Sequence, residues 1–122
     1  MVSKKLIETL FGGGHSHSVA AYPLRAVYMP MERAEGEAAV QVLISVSKRH
    51  FKRAVKRNRV KRQIREAYRL NKHELASIVG QKEGKALAVA FIWQADRLYA
   101  TPRVEKSVKT LLEALAKTAA AT

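Results

Sequence analysis

The stretch from Ala54 to Lys72 constrains what this chain can fold into more than any other part of it. It contains no Gly or Pro and consists mostly of Arg, Lys, Gln, Glu and Ala, a composition that favours helix over strand. At helical spacing Val60, Ile64, Ala67, Tyr68 and Asn71, and Leu75 beyond them, fall on one side, while Asn58, Arg59, Lys61, Arg62, Arg65 and Arg69 fall on the other. Val55 lies within the cationic side and Leu70 at its edge. The rest of the chain must therefore supply a core for one face of this helix and leave the other to solvent or to a partner.

The charge on that outer face is a local device. From Lys48 to Lys72, 25 residues, twelve basic side chains meet one acidic residue, Glu66, so this segment carries +11 of the chain's formal +13. Like charges one helical turn apart repel by about a few tenths of a kcal/mol per pair, and no acidic row offsets them here. A block of this kind marks an interaction surface, and a phosphate backbone is the partner that would relieve it. Arg outnumbers Lys within the helix, which favours bidentate contact with phosphate or base edges.

With 122 residues, 48% of them hydrophobic, the chain can bury one core and form a single domain over residues 1–122. The absence of cysteine excludes disulfides, thiolate zinc sites and thiol catalysis. The longest apolar run, Ala86 to Trp93, is eight residues, less than half of a membrane span. Lys4 and Lys5 precede Leu6 and Ile7, but Glu8 and Thr9 interrupt the apolar stretch, so no signal peptide is expected.

Around the basic segment, Lys4 to Phe11 reads as a short amphipathic helix stopped by Gly12, Gly13 and Gly14. Tyr22 to Met29 is β-prone, Glu32 to Glu37 forms an acidic turn, and Val40, Val42, Ile44 and Val46 alternate with Gln41, Leu43, Ser45 and Ser47 as a half-buried strand. The two strands are expected to pair antiparallel. After the basic helix, an extension through Ile78 and Val79 stops at Gly80. Ala86 to Trp93 follows as a buried strand with Leu87, Val89, Phe91 and Trp93 on one side and Ala86, Ala88 and Ala90 on the other, where a helix could pack close. Thr101 as N-cap and Pro102 at the first helical position open a last helix with Val104, Val108, Leu111, Leu112 and Leu115 as its apolar face, and the tail 118–122 is expected to fray. The sum is an α+β sandwich.

Chemistry of its own is hard to find in the chain. His15 and His17 lack further ligands, so no metal site is expected, and the triglycine lacks the Lys and Ser/Thr of a phosphate-cradling loop. Asp96 is the only Asp, and Glu32, Glu35 and Glu37 sit in a turn, so neither a nucleophile with its base nor a carboxylate cluster is available. No catalytic residue is assigned. If the chain takes part in a reaction, the catalyst lies elsewhere.

The run SerValSerLys at 45–48, a basic linker, and then AlaValLysArgAsnArgValLysArgGlnIleArgGluAlaTyrArg at 54–69 resembles the signature of the bacterial ribonuclease P protein component. The resemblance implies an αβββαβα fold similar to one ribosomal-protein domain, with a four-stranded sheet, an extra strand near Ser16 to Ala20 and a left-handed βαβ crossover against the general handedness rule. It implies a cytoplasmic endoribonuclease whose RNA subunit removes the 5′ leader from precursor tRNA. Mg²⁺ would be bound mainly by the RNA and not by the protein. The protein's implied partners are the catalytic RNA and the leader, with no membrane and no obligate protein partner. Arg57, Asn58, Arg59, Lys61, Arg62 and Arg65 match the family's RNA-contacting motif, with Arg69 and Lys48 flanking it. A leader-binding cleft between the first helix and the sheet is implied, with Phe11 and Tyr28 as stacking candidates and Tyr22 and Ser45 nearby, although Ile7 stands where an aromatic is expected. Charge alone would fit equally a ribosomal or other structural RNA-binding module, or a helix that reads duplex DNA.

Overall fold

The computed structural model describes residues 17–121. Along the chain run β1 (His17–Ala21), β2 (Leu24–Glu32), β3 (Val40–Ser45), α1 (Ala54–Asn71), α2 (His73–Gly80), β4 (Lys85–Trp93) and α3 (Thr101–Ala121). The expected helix at Lys4–Phe11, its glycine stop, and with them Ile7, Phe11 and His15, lie outside the described residues. The extra strand that the resemblance implies is β1.

The sheet order is β1-β2-β4-β3. β2 and β3 are consecutive but do not pair, contrary to the expectation from the turn between them. β4 enters between the two, with Val89 facing Tyr28 on the antiparallel side and Val42 on the parallel side. Residues 86–91 of β4 are all buried, and a strand apolar on both faces meets its hydrogen-bonding needs only with a neighbour on each edge. The parallel β3–β4 pair requires a long connection, and α1 with α2 supplies it.

The two sides of β4 have different roles. Leu87, Val89, Phe91 and Trp93 join Leu24 and Ala26 of β2, Val60, Ile64 and Ala67 of α1, Leu75 and Val79 of α2, and Val104, Val108, Leu111, Leu112 and Leu115 of α3 in one core. Helices thus pack against the large side chains, which fill the space between layers, and not against the alanines as expected. Ala88 and Ala90 are fully buried on the opposite sheet face among Val27, Met29, Met31, Leu43 and Ile92, all from strands.

The helix ends also depart from the sequence reading. A one-residue break at Lys72 separates α1 from α2, so the extension to Gly80 is a helix of its own. α3 begins one residue early. The amides of Arg103 and Val104 donate to Ala100 O, and the Thr101 hydroxyl accepts from Gln63 Nε2. Its far end is helical to Ala121, where the Lys82 ammonium donates to Ala119 O at 2.6 Å and Ala119 packs on the core. A cation suits the negative end of a helix.

Candidate nucleic-acid interface

Burial of Val60, Ile64 and Ala67 fixes the rotation of α1 and with it the direction of every side chain on the outer face. Asn58, Arg59, Arg62 and Arg65 are exposed, and Lys61 is half-buried. Among the described residues none of these four cations has an acidic partner. The start of the helix adds to the imbalance. Its N-cap, Arg53, makes no side-chain cap, its first turn holds no acidic residue, and Lys52, Arg53 and Lys56 are all exposed around it. The positive end of a helix dipole surrounded by cations is unfavourable in isolation and attractive to an anion.

Two residues assigned to this surface are already engaged. Arg57 is half-buried and turns back, its Nη1 donating to Phe51 O at 2.8 Å and Lys52 O at 2.9 Å. It ties the linker to α1. Arg69 forms a two-point pair with Glu66, Nε to Oε2 at 3.2 Å and Nη2 to Oε1. That pair holds the Glu66 carboxyl below its ordinary range and pushes the Arg69 guanidinium up. Lys48 is exposed on the turn that Ser47 organises, whose hydroxyl accepts from Arg49 N and whose carbonyl accepts from His50 N. Buried Val46 and Phe51 and a 2.6 Å contact between His50 Nδ1 and Asp96 Oδ1 pin this linker in place.

Of the residues expected to form one cleft, the described ones, Tyr28, Ser45 and Tyr22, do not come together. Tyr28 lies on the helix-bearing face, 5.8 Å from the His17 ring, and lines a cavity of about 440 Å³ with Pro30, Val79, Lys82 and Leu115. Ser45 pairs with Ile92 on the opposite, alanine-centred face, as the alternation of β3 requires. Tyr22 sits in the β1–β2 turn against Tyr99. Phe11 lies outside the described residues.

Sequence reasoning also missed Gln63, Gln41 and the His50–Asp96 contact. Gln63 is buried, and its Nε2 donates to Tyr99 O at 3.2 Å and Thr101 Oγ1 at 3.1 Å, joining α1 to the segment before α3. Its spacing, three after Val60 and four before Ala67, was the available signal. Gln41 shares the face of Ser45, and its buried Nε2 has no partner. Among the described residues no group of three His, Asp or Glu could hold a metal, and no helix is long and apolar enough to cross a membrane.

The family model for ribonuclease P matches residues 1–117. The chain belongs to the ribonuclease P protein family. It is 43% identical over 106 residues to the ribonuclease P protein component of Porphyromonas gingivalis, covering 87% of this chain and 74% of the relative. It is 36% identical over 107 residues to that of Chlorobaculum tepidum, covering 84% and 68%. The solved ribonuclease P protein of Staphylococcus aureus superposes with a TM-score of 0.64 at 22% identity, covering 93% of this chain and 92% of that one. The Thermotoga maritima protein gives 0.62 at 20%, covering 91% and 90%. These structures share the fold. As a ribonuclease P protein component, the chain is an RNA-binding subunit of an endoribonuclease that acts in tRNA processing.

Proposed function

We propose that α1 docks the chain on the catalytic RNA of ribonuclease P and that the protein also holds the 5′ leader of precursor tRNA while the RNA cuts it. The observation that carries this is the helix whose buried stripe aims Asn58, Arg59, Lys61, Arg62 and Arg65 outward with no acidic partner among the described residues. Each guanidinium that meets a phosphate releases counterions and gains charge-assisted hydrogen bonds. Asn58 adds an amide that donates to phosphate and accepts from a hydrated cation. For the leader, the alanine-centred sheet face is favoured over the helix-bearing face. It carries Ser45, Leu43 and the unpartnered Gln41 amide, and no described helix covers it.

The reaction takes place in the cytoplasm on this reading, with Mg²⁺ held mainly by RNA. The protein's cations would screen phosphates that Mg²⁺ must otherwise screen, so the benefit of the protein is greatest when Mg²⁺ is scarce. The test is 5′-leader cleavage of a precursor tRNA by a cognate bacterial ribonuclease P RNA at low Mg²⁺, with and without the protein. Strong stimulation only when both subunits are present is expected. Intact RNA binding without stimulation would overturn the reading.

A further inference from the structure

Beyond the outer face of α1, three segments converge on a second basic and aromatic patch. The β1–β2 turn contributes Tyr22, the stretch between β4 and α3 contributes Arg97 and Tyr99, and the first turn of α3 contributes Arg103. Tyr22 is 56% exposed, and its ring stands edge-on to Tyr99, 6.3 Å between centroids at 87°. Tyr99 in turn rests on buried Trp93 at 5.9 Å. The Arg97 and Arg103 guanidinium carbons lie 4.9 and 5.8 Å from the Tyr99 centroid. Neither arginine forms an ion pair with an acidic side chain among the described residues, since neighbouring Asp96 is turned to His50.

The patch is built rigidly. Tyr22 O accepts from Arg103 Nη2 at 3.1 Å and from Ser107 Oγ at 3.2 Å, and Gln94 N donates to Pro23 O at 2.8 Å. Gln63 ties Tyr99 O and Thr101 to α1, and Asp96 ties the same segment to the linker through His50. The patch is therefore tied to α1 through Gln63 and to the basic linker through His50. Two buried polar atoms without a partner, Gln63 Oε1 and Trp93 Nε1, belong to the residues beneath this segment. An ordinary surface aromatic hides its ring against the core. Tyr22 instead keeps its backbone anchored and its side chain more than half exposed, edge-on to the Tyr99 ring that both guanidiniums face.

We propose that this patch is a second RNA site, which takes an unpaired nucleotide with its base stacked on Tyr22 and the adjoining phosphates on Arg97 and Arg103. Every base has a π face, whereas duplex hides those faces, so the chemistry selects single strand over helix and shows little sequence preference. The proposal rests on the reading of α1 as an RNA-docking helix, because it is RNA held there that would supply the unpaired nucleotide. Its source is either an unpaired segment of the catalytic RNA or the precursor's leader.

The experiment compares wild type with Tyr22→Leu, Tyr22→Trp, Arg97→Gln and the triple variant Arg59→Ala/Arg62→Ala/Arg65→Ala, each first shown by its melting curve to be folded. One arm titrates ribonuclease P RNA, and the other titrates precursor tRNA with and without its leader onto the reconstituted holoenzyme. Tyr22→Leu is expected to weaken one arm by about five- to a hundredfold while Tyr22→Trp keeps wild-type affinity. Arg97→Gln is expected to reduce the slope of log affinity against log salt by about 0.7. Loss in the first arm assigns the nucleotide to the catalytic RNA, and loss confined to leader-bearing substrate assigns it to the leader. Unchanged binding by Tyr22→Leu in both arms, with binding lost in the triple variant, overturns the patch and leaves the α1 reading standing. Unchanged binding by both overturns the two together.

Discussion

Neighbouring arginines in one motif do different work here, and the difference lies in what their nitrogens already touch. Arg57 donates to two linker carbonyls that water can reach at least in part, so Arg57→Ala is expected to cost about 0.5–1.5 kcal/mol in chemical denaturation. Exposed Arg59 has no partner to lose among the described residues. Arg59→Ala should leave stability within about 0.5 kcal/mol and weaken RNA binding instead. Tyr68 offers a pH test. Its ring packs on Phe91, and burial pushes its phenol above the ordinary value. The unfolded chain then ionises first, so this contribution is fully present below the unfolded pKa, near 10, and is lost as pH rises through the folded one. Tyr68→Phe should flatten the alkaline loss of stability, read as melting temperature against pH. At this scale the sequence exposed the cations but not their partners. The backbone turn that brings Phe51 O within reach of Arg57, and the fold that sets Asp96 against His50 from 46 residues away, leave no mark on local spacing.

α1 was the most legible element because one segment holds both of its requirements. Lack of Gly and Pro permits the helix, and the Val60–Ile64–Ala67 stripe gives its buried side. Ile64→Ala is expected to cost about 2–5 kcal/mol, since Ile64 is wholly enclosed. Val55→Ala, at a position 79% exposed on the cationic side, should change stability by less than about 0.5 kcal/mol. Denaturant midpoints at unchanged slope measure both. Strand partners were less legible. β2 and β3 each read correctly as strands, yet β4, forty residues after β3, inserts between them because it alone is buried on both faces. The alanines of β4 misled for a related reason. Small residues permit a close helix, but three helices with bulky Val and Leu stripes need the larger side to interlock, so they took the Leu87–Trp93 face.

For the whole molecule the governing fact is an uneven charge, +11 in 25 residues and almost none elsewhere, mounted on a core that holds its bearer rigid. The uneven charge could be read without coordinates. A shared cleft of Tyr22, Tyr28 and Ser45 could not be read correctly, because strand parity puts Tyr28 and Ser45 on opposite sheet faces and the turn takes Tyr22 to a third place. Binding through this surface should be strongly salt-dependent, each phosphate neutralised adding about 0.7–0.9 to the slope of log affinity against log salt. The most direct measurement is the dissociation constant for ribonuclease P RNA across a salt series, for wild type and for Arg59→Ala/Arg62→Ala/Arg65→Ala at equal thermal stability. The account predicts a steep wild-type slope, a slope shallower by about 2–3 in the variant, and weaker binding by the variant at every salt concentration. Superimposable curves would contradict it.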